Sequence, residues 1–168
     1  MLSRVWRSLL TWPDVKGWAQ CGAIAALSLC LVAVVAIPEG IAHWQPAFDA
    51  WLLRLAKVMV VPAFSEELVF RGALIPSRGE RDRAWPWIVG GLLLFVAWHL
   101  VEALTFLPGA HLFLTLPFLV CALVLGAACA FMRYQTGSLW PAVLFHGFTV
   151  CLWQAGFGGP DVARLLAR

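Results

Sequence analysis

Charge is scarce in this chain of 168 residues: Asp, Glu, Lys and Arg together make up 12% of it, against roughly 25% in an ordinary soluble domain. With 62% of residues hydrophobic and a mean hydropathy of +0.84, that scarcity excludes a soluble globular protein. Twelve Lys and Arg against nine Asp and Glu leave a net charge of +3. This is too small and too scattered for the basic patch a nucleic-acid binder needs, so no nucleic-acid partner is expected. Cys-x-x-Cys pairs are absent, and Cys21, Cys30, Cys121 and Cys129 lie inside apolar runs, so neither a disulfide framework nor a structural zinc site follows. Internal repeats, low-complexity tracts and linkers are also missing. The only polar cluster is the short stretch Ser77 to Arg83, and a single domain over 1–168 is expected.

What is present is long apolar runs. A spanning helix needs about 20 mostly apolar residues to cross a hydrocarbon core of roughly 30 Å. Five stretches qualify: Trp18 to Ile37, Phe48 to Pro76, Trp85 to Phe106, Leu112 to Phe131 and Ser138 to Phe157. They lack the alternation of barrel strands, and a backbone in lipid must satisfy its own hydrogen bonds. The expected fold is therefore all-α, a polytopic transmembrane helix bundle of about five spans. Pro62, inside the second run, removes a helical hydrogen bond and should kink or split that span. Thr136-Gly137-Ser138 ahead of Pro141 reads as a helix start with Ser138 as its N-cap.

Arg4, Arg7 and Lys16 ahead of the first run also fit a secretory signal, but that run exceeds the usual apolar core of about 7–15 residues. A retained first helix is expected. Lys and Arg near run ends set orientation. With the N-terminus cytoplasmic, that side collects Arg4, Arg7, Lys16, Arg78, Arg81, Arg83 and Arg133, and the other Arg54, Lys57, Arg164 and Arg168. The excess favours a cytoplasmic N-terminus, and five spans then put the C-terminus outside. Trp18, Trp44, Trp51, Trp85, Trp87, Trp140 and Trp153 fall near run ends, where amphipathic rings favour the membrane interface.

The chemistry lies in ionisable residues inside the runs, each costing roughly 2.5–3.5 kcal/mol or more at a helix centre unless it has a partner or a purpose. Glu66, Glu67 and Arg71 are in the second run, His99 and Glu102 in the third, and His146 in the last. Glu67 and Arg71 stand i,i+4 with the acid first, the favourable order for an ion pair. Glu66 points about 100° away and is left free to face a cavity and handle protons. The blander reading puts all three in one structural ion-pair network, and a lone buried histidine is ordinarily a packing residue. Two intramembrane histidines beside a carboxylate pair argue otherwise. Gly147, next to His146, would admit a close neighbour. Glu102, one turn beyond His99, could orient it or reach towards the interface, and His43 and His111 belong to loops.

Three ordered motifs then carry a resemblance: Glu66-Glu67-Leu68-Val69-Phe70-Arg71, then Phe95-Val96-Ala97-Trp98-His99, then Gly137 to His146. Over about Pro62 to Val150 the chain resembles the CPBP family of intramembrane glutamic endopeptidases, which includes Rce1-type CAAX proteases and bacteriocin-immunity proteins. The resemblance implies an all-helical membrane protease with catalytic Glu66, His99 and His146. Glu66 would activate a water with help from His99, Glu67 and Arg71 would support the site, and no cofactor or metal would be involved. The family's last motif is similar to His-x-x-x-Asn, its two side chains forming an oxyanion hole. His146 matches, but the asparagine position is Val150, which has no donor, and Thr149 lies about 100° off that face. A single oxyanion donor is worth about 2.7–4 kcal/mol.

The expected function is hydrolysis of a peptide bond in a membrane-associated or C-terminally anchored protein by glutamate-activated water. Its partners are the lipid bilayer and that substrate, and its location an integral one, in a bacterial inner membrane. Three alternatives stand beside it. One is a non-catalytic binding or immunity protein of the same fold, another a zinc protease using Glu66, Glu67, His99, Glu102 and His146 as ligands, and the third a small transporter or proton relay.

Overall fold

The computed structural model describes residues 2–107 and 109–161; Arg164 and Arg168, counted above for orientation, lie outside the described residues. Among the described residues the chain is helical, without a named strand. Its elements are α1 (Leu2–Leu10), α2 (Val15–Ala36), α3 (Trp51–Val58), α4 (Ser65–Glu67), α5 (Trp85–Val101), α6 (Leu116–Thr136) and α7 (Trp140–Gly156). Wide π-helical turns extend α3 over Met59–Phe64, α4 over Leu68–Ala73 and α5 over Glu102–Phe106.

Local chemistry explains where the helices begin and end. The carboxylate of Asp14 accepts from the Gly17 amide at 2.7 Å and caps α2. Each of α5, α6 and α7 carries a proline in its first turn, where the missing N–H has no helical partner to lose. α6 stops at Gly137, whose φ of +68° is left-handed and whose N–H returns to the Arg133 carbonyl. Ser138 caps α7 from just outside, its hydroxyl oxygen accepting from the Trp140 amide at 3.2 Å. The expected break in the second run is at Val61, with φ −136° and ψ 118°, immediately before Pro62.

The chain makes five passes between two ends of the bundle. At one end, Arg4 donates to the carbonyl oxygens of Ala73 and Leu74, Arg78 N–H to Tyr134, Leu139 N–H to Ser8, and the Trp140 indole to Leu9. At the other, the amides of His43, Gln45 and Ala47 bond to Phe157, Gly156 and Ala155, and Arg54 reaches Ala47 and Gln154. Among the described residues, three helices are long and apolar enough to cross a membrane: Val15–Ala36, Trp85–Phe106 and Leu116–Thr136. The outer wall is apolar, with Leu27, Leu31, Val34, Leu93, Leu94, Leu104 and Leu152 exposed. Exposed tryptophans belt both ends, Trp6, Trp12, Trp85 and Trp87 at the first and Trp44 and Trp51 at the second. This is a membrane helix bundle. Small and aromatic residues fill it, as in the cluster of Ala36, Ile41, Ala103, Phe113, Phe118, Cys121 and Ala122.

Helix α1 is not one of the apolar runs, and its pattern is inverted: Arg4 and Ser8 are buried while Leu2, Trp6 and Leu10 face outward. Arg4 holds Glu80 at 2.7 Å, and the Ser77 amide and hydroxyl donate to the other carboxylate oxygen at 3.0 and 3.2 Å. Partial burial raises the Glu80 carboxyl, but the hydrogen bonds from Arg4 and Ser77 and the Arg4 charge outweigh it and hold the group down at about 2. With the folded state keeping Glu80 ionised below its ordinary 4.5, the contribution is complete above that pH and is lost as pH falls through about 2. Thermal unfolding in detergent should therefore weaken across this window in the wild type. Glu80→Gln should start lower and lose that part of the acid dependence; an unchanged acid limb would show that the bridge does not hold α1 down.

Candidate active site

Glu66 and Glu67 form the short α-helical step between two wide-turned stretches, which turns both carboxylates inward: each is buried. Their surroundings differ. Oε1 of Glu67 accepts from Nδ1 of His146 at 2.9 Å and faces Nη1 of Arg71 at 3.2 Å. Arg71 in turn donates from Nη2 to the Gly126 carbonyl at 3.0 Å, and its guanidinium carbon lies 3.9 Å from the centroid of the Phe95 ring. The Glu67–Arg71 pair expected from spacing is thus present, and it is one part of a chain linking α4, α5, α6 and α7. Glu66 points elsewhere. Its Oε2 has no hydrogen-bond partner among the described residues, and neither has the Trp98 indole nitrogen; the charged groups near enough to act on it are Glu102, Glu67 and Arg71.

Two glycines make this packing feasible. A Cβ on Gly126 would stand 2.9 Å from Arg71 Nη2 and 2.8 Å from Phe95 Cδ1, so α6 is bare where the guanidinium reaches its backbone. A Cβ on Gly147 would meet Met59 Sδ at 2.5 Å and Ala63 Cβ at 3.3 Å. The close neighbour expected at Gly147 is the wide-turned stretch just ahead of the carboxylates.

His99 is oriented by its own helix. Its Nδ1 lies 2.9 Å from the Phe95 carbonyl oxygen, which only accepts, so the neutral ring is assigned its proton on Nδ1 and its lone pair on Nε2. Phe95, Phe118 and Phe113 surround the ring at centroid distances of 4.8, 5.6 and 5.8 Å. His99 and His146 both line a cavity of about 340 Å³ whose remaining walls are mostly apolar residues of α2, α6 and α7. Neither Glu66 nor Glu67 lines it.

Val150 forms part of the same wall, and so does Thr149, which the helical spacing placed off that face. Thr149 cannot stand in for the missing donor, because its hydroxyl already donates to the Phe145 carbonyl at 2.7 Å. The Trp153 indole, also on the wall, donates to Ile41 at 2.7 Å. The 168 residues contain no asparagine. His43 and His111 are exposed, as expected of loop residues. Among the described residues, no three His, Cys, Asp or Glu side chains gather as a metal ion would require.

A family model described as type II CAAX prenyl endopeptidase, Rce1-like, matches residues 47–152, more than half of the chain. The chain belongs to this family. No curated protein and no solved structure matches it. At family level the Rce1-like chain is therefore a CAAX-type membrane protease, acting on a protein substrate at the bilayer. The matched span starts in the loop before α3 and ends within α7, so it takes in Glu66, Glu67, Arg71, His99 and His146 and leaves out α1 and α2.

Sequence reasoning missed the engagement of His146 by Glu67, which no spacing rule reports across 79 positions. It also missed Gly126. A signal for that one existed: Gly126-Ala127-Ala128-Cys129-Ala130 is a run of small residues in α6, and such runs mark close helix approach in membranes.

Proposed function

We propose that this Rce1-like protein is an intramembrane endopeptidase in which Glu66 is the general base. The observation that carries the reading is the division between the two carboxylates. Glu67 is tied through Oε1 to both Arg71 and His146, leaving only its Oε2 without a partner, whereas Glu66 is buried outside that pairing, with its own Oε2 unpartnered as well. Glu66 takes a proton from water as the water oxygen attacks the scissile carbonyl carbon, and later gives that proton to the leaving amine. Nε2 of His99, carrying the lone pair, accepts the water's second hydrogen and aims it. His146 faces the developing oxyanion through Nε2. Donation from that nitrogen requires a proton on Nε2 besides the one that Nδ1 gives to the Glu67 carboxylate.

The arginines gathered at the α1 end support a cytoplasmic N-terminus, and the membrane we assign is a bacterial inner one, crossed five times. The substrate class that fits is a membrane-anchored protein with a C-terminal or spanning segment. The assay is cleavage of such a substrate by the reconstituted protein, compared with the same protein carrying Glu66→Gln. Cleavage should also persist in excess chelator. Loss of cleavage on chelation, restored by stoichiometric zinc, would favour metal chemistry.

A second reading, a non-catalytic protein of the same fold, is favoured by one observation: Val150, Thr149 and Trp153 leave the cavity without a free side-chain donor beyond the histidines. The two readings part at Val150→Asn. For an active enzyme short of one donor, asparagine should raise turnover, by up to about 100-fold if some 2.7 kcal/mol were recovered. An unchanged or lower rate shows that a backbone amide already fills the role and that asparagine buries an unpaired amide. Inactivity of the wild type, Val150→Asn and Glu66→Gln alike supports the non-catalytic reading.

A further inference from the structure

At the α1 end, remote from the histidines, a second cavity of about 260 Å³ is lined by Arg4, Arg7, Arg78 and Arg133 with Glu80 as the one acid. Its charge is strongly positive, since Glu80 answers only Arg4, at 2.7 Å, and more weakly Arg7, at 3.7 Å. Arg133 is the anomaly. It is 1% exposed, yet its Nε and Nη1 have no hydrogen-bond partner among the described residues. A buried guanidinium with two nitrogens left without partners is costly, and a guanidinium is the donor group that suits a phosphate.

The surroundings place this cavity at the membrane surface. Helix α1, which supplies Arg4 and Arg7, turns Leu2, Trp6 and Leu10 outward at 84%, 64% and 68% exposure. A helix with one apolar face and its cations on the other lies in the headgroup boundary. Trp87 stands beside the opening, with the guanidinium of Arg81 4.4 Å from its ring centroid and that of Arg4 at 5.9 Å. We propose that the Arg4, Arg7, Arg78 and Arg133 cavity binds the phosphate of an anionic phospholipid headgroup, with the acyl chains running down beside α1. The lipid occupies a site distinct from the proteolytic one, about seven residues, or roughly 10 Å, along α6 from the Arg71–Gly126 contact.

The test uses the purified full-length protein in maltoside micelles, titrated with dioleoyl phosphatidylglycerol, dioleoyl phosphatidylcholine or inorganic phosphate and read by native mass spectrometry. The wild type should retain phosphatidylglycerol about tenfold or more in preference to phosphatidylcholine, with the preference falling at high salt. Arg133→Gln should abolish the preference. Should that variant fail to fold, two changes in the loop between α4 and α5 decide with opposite signs. Arg78→Gln should weaken phosphatidylglycerol binding about fivefold, and Glu80→Gln, by removing the competing carboxylate, should strengthen it. Equal retention of the two lipids, or no opposite shift from the loop variants, overturns the proposal. Inorganic phosphate binding as tightly as phosphatidylglycerol overturns the lipid assignment in favour of a soluble anion.

Discussion

Glu66→Gln should lower turnover of a defined membrane substrate by roughly 10²–10⁴-fold, the range that a positioned general base contributes. Glutamine has the shape of glutamate but cannot carry a proton from water to the leaving amine. The substitution should leave the bundle intact, because the carboxylate oxygen it replaces makes no hydrogen bond among the described residues. Unfolding midpoints of wild type and variant should therefore agree within about 1 kcal/mol while rates diverge. Glu102, which acts on Glu66 from the start of the wide turns after α5, provides the control. If Glu66→Gln cleaves at near wild-type rate and Glu102→Gln does not, the base has been assigned to the wrong residue.

Arg71→Ala should be the most damaging single change to stability, by about 3–5 kcal/mol. It removes the ion pair with Glu67, the hydrogen bond to Gly126 and the stacking on Phe95 together. It also leaves the fully buried Glu67 with His146 alone. Arg71→Lys should rescue little, since an ammonium cannot bridge a carboxylate and a carbonyl while lying flat on a ring. Denaturant unfolding in detergent measures both variants. A loss below about 1 kcal/mol for Arg71→Ala would mean that the chain from Glu67 to Gly126 does not hold the four helices together.

The helical class, the position of the second-run break and the Glu67–Arg71 pair were legible because each rests on local rules: run length, proline chemistry and i,i+4 spacing. The engagement of His146 was not, since it depends on how α7 docks against the stretch before Glu66, and that docking is set by the bare surface of Gly147 against Met59 and Ala63. Helix α1 escaped because hydropathy averages over its arginines and leucines, whereas the fold sorts them to opposite sides. Thr149 shows a further limit. Neighbours 100° apart can both border one cavity when the cavity is wide, so Thr149 shares the wall with Val150 although the spacing put it on another face.

The position of the histidine cavity along α6 determines how deep a substrate must reach. Its α6 wall includes Cys121 and Ala122, and it continues to Ile37, Ala42 and Phe157 at the end away from the arginines. From Arg133 to Ala122 is about 16 Å of helix, half of a hydrocarbon core of roughly 30 Å. A peptide entering from the arginine end would have to be drawn across that half before meeting His99. One entering from the opposite end meets it within its terminal turns, where helices fray and backbone carbonyls are already without partners. On the proposed chemistry, bonds near that end of a spanning segment would be the ones exposed to hydrolysis with the least unwinding, and bonds at its middle would be shielded by their own helix.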